Sequence, residues 1–263
     1  MIHASRRLGQ HFLKSEAVLR DIIAAAELSP GDTVLEIGPG TGILTRALAA
    51  RTQTVIAVEK DAELFRALEK NFKREGVTNV RLIGGDILKI GFEELGLPAL
   101  YAVVANIPYY LTSRLIRKLL ECDPAPERML LTLQKEVAER ITARPPHMNL
   151  LALSVQSYAK PELLFTIPAS AFSPPPKVTS ALIRIADISR EFFIQNRIRE
   201  EDFFALIRQA FQHKRKQLAA SLAVSYPRNT ILRTLEAAGL PLTARPQELA
   251  LEHWATLLRN LSA

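Results

Sequence analysis

The 263-residue sequence predicts an α/β protein: a mostly parallel seven-stranded sheet with an antiparallel edge, plus a small all-α C-terminal domain. Three observations carry this. Short β-branched runs alternate with amphipathic stretches through about residue 157, the succession that builds parallel sheets covered by helices. Two more strand-like runs follow with only a proline-rich loop between them. Beyond residue 186 strand signals vanish and amphipathic helices take over.

Taken in order, "SEAVLRDIIAAAEL" carries Val18, Leu19, Ile22, Ile23 and Ala26 on one helical stripe and stops at "SPG". "TVLEI" and "TVIAV" are strands, and the helix "DAELFRALEKNFKREG" ends at Gly76, a residue suited to a left-handed cap. A third strand precedes "IGGDIL", and "LYAVVA" and "ERMLLTL" supply two more. "YAKPELLFTI" and "TSALIRIA", joined by "PASAFSPPPKV", leave no room for a helix and are expected to pair antiparallel at one edge. "EEDFFALIRQAFQHKRKQLAASL", "RNTILRTLEAAG" and "QELALEHWATLLRNL" read as helices. The expected domains are therefore 1–185 and 186–263.

With 48% hydrophobic residues the chain can bury a sizeable core, which excludes disorder. No apolar stretch approaches bilayer length, and "MIHASRRLGQHFL" is too polar for a signal peptide. The single cysteine, Cys122, excludes an internal disulfide framework and fits a reducing compartment, so a cytoplasmic location is expected. The five histidines are scattered without a second ligand at useful spacing, so no metal is expected. Net charge is +7 and pI about 9.7, a balance that attracts polyanions, nucleic acid first among them. Residues 186–263 hold 11 basic against 8 acidic side chains, leaving +4 for residues 1–185. Lys214, Arg215 and Lys216 are the densest basic cluster there, at a helix end where the dipole also favours positive charge.

"VLEIGPGTGILT" sets Gly38, Gly40 and Gly42 between a strand and the next helix, where glycine lets the backbone turn tightly and approach a ligand. Glu59 ends the next strand, 17 residues after Gly42, placed to accept both hydroxyls of a ribose. The spacing is G-x-G-x-G rather than that of dinucleotide binders, and Glu36 precedes the first glycine by two residues. A carboxylate there is awkward for a pyrophosphate and suits a cationic ligand such as S-adenosylmethionine. Asp86, after the third strand, is placed to accept from an adenine amino group.

"LGQHFL", "EIGPGTGILT", "VEKD", "GGDILKI", "NIPYYLTS" and "FSPPPKVTSALIRI" occur in the order of the ribosomal RNA adenine N6-dimethyltransferases, and the chain most resembles the bacterial small-subunit (16S) branch. The resemblance runs through "AFQHKRKQLAASL" and "ARPQEL". It implies a Rossmann-like class I fold dependent on S-adenosylmethionine. By the same resemblance, His11 and Leu13 close over the methyl donor, Gly38 lies under its methionine part, Glu59 takes the ribose, Asp86 the adenine, and Asn106 serves both donor and substrate. The implied substrate is two adjacent adenines near the 3′ end of small-subunit rRNA, within a pre-ribosomal particle. Where the family often has Asn after N-[IL]-P-Y, this chain has Tyr110.

The adenine amino nitrogen is a weak nucleophile because its lone pair is delocalised into the ring. Hydrogen bonds to its protons from Asn106 and the Ile107 carbonyl return density to nitrogen and aim it at the methyl group. Pro108 stiffens the turn. Tyr109 is expected to stack on a flipped base and Phe172 to cover its other face, each such stack worth roughly 1–3 kcal/mol. The competing readings are a large-subunit methylase of the macrolide-resistance type and an rRNA-binding assembly factor with incidental catalysis; a monomer is the expected state.

Overall fold

The computed structural model describes residues 10–213 and 216–261. Among these, residues up to Ala138 together with Pro161–Ile188 form one compact unit. Glu139–Lys160 and the residues from Ser189 onward form a second. The division thus departs from a single cut at 185/186, because Glu139–Lys160 groups with the C-terminal helices.

The first unit runs β1 (Phe12–Leu13), α1 (Glu16–Ala25), β2 (Thr33–Ile37), α2 (Ile43–Ala49), β3 (Thr54–Glu59), α3 (Ala62–Glu75) and β4 (Val80–Gly84). It continues with β5 (Ala102–Asn106), α4 (Thr112–Glu121) and β6 (Arg128–Gln134), then α5 (Lys135–Ile141) at the unit boundary. After α6 (Leu150–Gln156), β7 (Lys160–Ile167), β8 (Phe172–Ser173) and β9 (Ser180–Ala186) return to the sheet region. Helix starts and stops follow local chemistry. The Ser15 hydroxyl accepts the Val18 amide, the Asp61 carboxylate accepts those of Glu63 and Leu64, and Gly76 closes α3 at φ +70°.

The seven-stranded sheet has the order β4-β3-β2-β5-β6-β9-β7. Strands β2 to β6 pair in parallel, β9 runs antiparallel to β6, and β7 lies beside β9 at the edge. The chain moves outward from β2 to β4 and then crosses back to β5. That reversal opens a crevice beyond the carboxyl ends of β2 and β5, where doubly wound sheets bind ligands. Register aligns those ends: Ile37 sits beside Val58, Glu59 beside Gly84, and Asn106 beside Thr132. The central strands are mostly apolar because the core buries Val34, Val55, Ala57, Val104 and Leu130 at 2% exposure or less.

The second unit includes α6, α7 (Glu191–Asn196), α8 (Glu200–Phe211), α9 (Leu218–Leu222), α10 (Arg228–Ala237) and α11 (Leu251–Leu261). Residues 200–222, expected as one helix, are two. After Phe211 come six polar residues, Gln212 to Gln217, with nothing to extend an apolar stripe. Phe193, Phe203 and Tyr158 pack edge to face at centroid distances of 5.2 to 5.6 Å. The Tyr158 hydroxyl donates to Glu200 at 2.6 Å. Among the described residues no helix is long and apolar enough to cross a membrane.

Candidate active site

The loop after β2 forms the floor of the crevice. Gly38 holds φ +72° and donates its amide to the Val58 carbonyl at 2.9 Å. A Cβ on it would meet only the Pro108 ring, at 3.8 Å, so its open face looks into the crevice. Gly40, at φ +59°, is different: a Cβ there would lie 2.8 Å from the Phe12 ring, which rests directly on the loop.

Three carboxylates lie at the ends of the first strands. Glu59 is 5% exposed, and its two oxygens accept the amides of Gly40 (3.1 Å) and Asp61 (2.8 Å). Burial pushes its carboxyl above the ordinary value, and those amides oppose the rise. Glu36 is deeper, at 2% exposure, and burial pushes it up to about 8. The Thr45 hydroxyl opposes that rise and the charge of Glu59 adds to it. Yet Glu36 Oε2 and Thr45 Oγ1 are both buried without a well-formed hydrogen bond. Asp86 accepts the Leu88 amide on Oδ1 (3.0 Å) and pairs through Oδ2 with Lys60 Nζ (2.9 Å). Partial burial works to raise Asp86, but the Lys60 ammonium and the Leu88 amide outweigh it and hold the carboxyl below its usual range.

At the end of β5, Asn106 Nδ2 donates to the His11 carbonyl at 3.0 Å. A carbonyl partner can only accept, so the amide must present its NH2 group there, with Oδ1 on the opposite side. The Ile107 amide donates to the Thr132 carbonyl at 3.1 Å and pins the turn. Tyr109 is half-buried, its hydroxyl 2.8 Å from Ser180 Oγ and its ring 5.8 Å from that of His11. His11 Nδ1 lies 2.7 Å from the Pro174 carbonyl, so that nitrogen carries a proton.

The result is one crevice with two ends. Gln10, Gly38, Glu59 and Pro108 line both. His11, Phe12, Asn106 and Tyr109 stand at one end, and Lys60, Asp86 and Tyr110 at the other. The structure therefore gathers His11, Gly38, Glu59, Asp86, Asn106, Pro108 and Tyr109 as the sequence suggests. Two residues do not join them. Leu13 (5% exposed) and Phe172 (1%) sit opposite each other where β1 pairs with β8, with both side chains in the apolar core. A base-covering ring must reach the crevice, and Phe172 is held away from it by that packing. Of the basic cluster, Lys214 and Arg215 lie outside the described residues. Lys216 is exposed and follows the end of α8 at Phe211 rather than closing the helix. Sequence reasoning missed Phe12, Lys60 and Tyr110 as lining residues. Lys60 stands next to Glu59 in "VEKD", and Tyr110 departs from the family motif, but neither carries a local pattern that aims its side chain at a ligand.

The sequence profile of the family described as ribosomal RNA adenine dimethylase matches residues 1–261. A ribosomal RNA small subunit methyltransferase A from Dehalococcoides mccartyi is 45% identical over 261 residues, covering 97% of this chain and 88% of that protein. Among solved structures, a dimethyladenosine transferase from Plasmodium falciparum is 30% identical with a TM-score of 0.80, over 94% of this chain and 96% of its own. The 23S rRNA methyltransferase ErmE is 27% identical with a TM-score of 0.76, over 96% and 100%.

Proposed function

This chain belongs to the ribosomal RNA adenine dimethylase family, and from that premise we propose that it dimethylates N6 of two adjacent adenines near the 3′ end of small-subunit rRNA, using S-adenosylmethionine. The observation that carries the reading is the single crevice running from Asn106 and Tyr109 past Glu59 to Asp86. S-adenosylmethionine supplies an electrophilic methyl group on a sulfonium centre. The crevice suits that ligand: Glu59 and Asp86 bring acceptors to its walls, and Gly38 lets a ligand approach the backbone.

Each residue then has a defined task. Glu59 receives ribose hydroxyls and Asp86 the adenine amino group. Asn106, anchored through the His11 carbonyl, offers Oδ1 to a proton of the target amino group, and Pro108 fixes the turn. Tyr109 stacks on the base, its ring held by the Ser180 hydrogen bond. His11 and Leu13 act through the backbone of the segment lying over the loop. Catalysis is alignment of nitrogen, carbon and sulfur for in-line displacement. The protein acts as a cytoplasmic monomer on a pre-ribosomal particle, with Lys214, Arg215 and Lys216 meeting phosphates.

The test incubates undermethylated small subunits and isolated large subunits with radiolabelled S-adenosylmethionine and digests the RNA to nucleosides. N6,N6-dimethyladenosine in small-subunit RNA, reduced at least about fivefold by Tyr109→Ala, is the expected result. Label confined to the large subunit moves the assignment to the chemistry in the name of the ErmE neighbour. Tight small-subunit binding without transfer makes the protein an assembly factor.

A further inference from the structure

We infer that Lys60 and Tyr110 set base selectivity at the far end of the crevice, Lys60 by competing with the amino group of adenine for Asp86 and Tyr110 by supplying a stacking face. The inference rests on the methyl-donor reading above and adds two residues to it. Asp86 has both oxygens engaged: Oδ1 takes the Leu88 amide at 3.0 Å and Oδ2 takes Lys60 Nζ at 2.9 Å. The amide bond is built into the backbone, whereas the lysine is on a flexible stem with 46% of its side chain exposed. An arriving exocyclic amino group therefore gains Oδ2 by displacing Lys60 outward. Tyr110 is 53% exposed, unusual for a large aromatic, and lines the same end of the crevice as Asp86, Gly38 and Lys60.

The pair has a chemical consequence for which base is accepted. With Lys60 displaced, Asp86 is a pure acceptor and favours the 6-amino group of adenine. With Lys60 in place, the same corner presents an ammonium donor and tolerates a 6-oxo group. The lysine thus weakens binding of adenosyl ligands while softening discrimination against their deaminated counterparts.

Isothermal titration separates these roles, with S-adenosylhomocysteine and S-inosylhomocysteine as probes of the wild type, Lys60→Met, Tyr110→Phe and Tyr110→Ala. Lys60→Met is expected to bind the adenosyl probe about two- to fivefold tighter, the range of a partly exposed ion pair. It should bind the inosyl probe more weakly, so that the ratio of the two dissociation constants widens by about fivefold or more. Tyr110→Ala should weaken both probes alike, by about tenfold, and Tyr110→Phe should leave both unchanged. An unchanged ratio in Lys60→Met, or both probes moving together, overturns the competition. Tyr110→Ala with wild-type affinities overturns the stacking face. If the wild type binds no S-adenosylhomocysteine, the methyl-donor reading falls, and this inference with it.

Discussion

Glu36 shows how one buried side chain links the crevice to stability. Its carboxyl is 2% exposed and pushed up to about 8, chiefly by burial, from an ordinary value of 4.5. A folded-state value above the unfolded one means the proton stabilises the fold. That stability is fully present below about 4.5 and is lost as pH rises through about 8. Across this window the residue should contribute a decline of up to about 1.4 kcal/mol per pH unit. Urea unfolding of the wild type and Glu36→Gln at pH 5, 6.5 and 8 tests this: the variant should lack that part of the slope and gain relative stability at pH 8. Parallel slopes would mean that Glu36 stays ionised. Glu36, Glu59 and Asp86 were legible as acids beside strand ends because strand patterns and spacing fix where a strand stops. Their protonation and partners were not. Those depend on α2 bringing Thr45 over Glu36, and on Lys60 reaching Asp86 from 26 positions away.

Among the elements, the two-residue strands β1 and β8 matter beyond their length. They pair Phe12 with Ser173 and Leu13 with Phe172, and the Lys14 amide adds a bond to the Ala171 carbonyl at 2.9 Å. This clip holds His11 and Phe12 over the glycine loop, while Asn106 fastens the His11 carbonyl from β5. Phe172 is then a core residue that supports the clip. Phe172→Ala should cost about 3–5 kcal/mol of stability, seen as a lower thermal midpoint. Phe172→Leu, which keeps an apolar side chain, should cost about 1 kcal/mol and retain methyl transfer. A stable Phe172→Leu without transfer would return Phe172 to the base. The motif string "FSPPPK" signals importance without saying which way the ring points, because a two-residue pairing across more than 150 positions has no local pattern. The same limit applies to α8: its start follows from apolar periodicity, but its end was hidden by polar residues that suit a helix or a loop equally well.

For the whole molecule, the parallel sheet was readable because each buried strand is a short apolar run and each helix an amphipathic one. Its partition into units was not, since α6 carries the same apolar character as the helices of the sheet unit and only three-dimensional packing assigns Glu139–Lys160 elsewhere. Charge is a property at this scale. The net +7 is shared by both sequence halves, so electrostatic attraction to RNA should be distributed rather than confined to one patch. Each phosphate neutralised by a lysine or arginine releases counterions, so the logarithm of the binding constant should fall linearly with the logarithm of salt concentration. Lys216→Ala should reduce the steepness of that line by about one when undermethylated small subunits are titrated between about 50 and 200 mM salt. Tyr109→Ala should weaken binding at every salt concentration and leave the slope unchanged, because stacking releases no counterions. If the Lys216 variant keeps the wild-type slope, its side chain does not meet a phosphate, and the attraction must come from the remaining basic residues of the two halves.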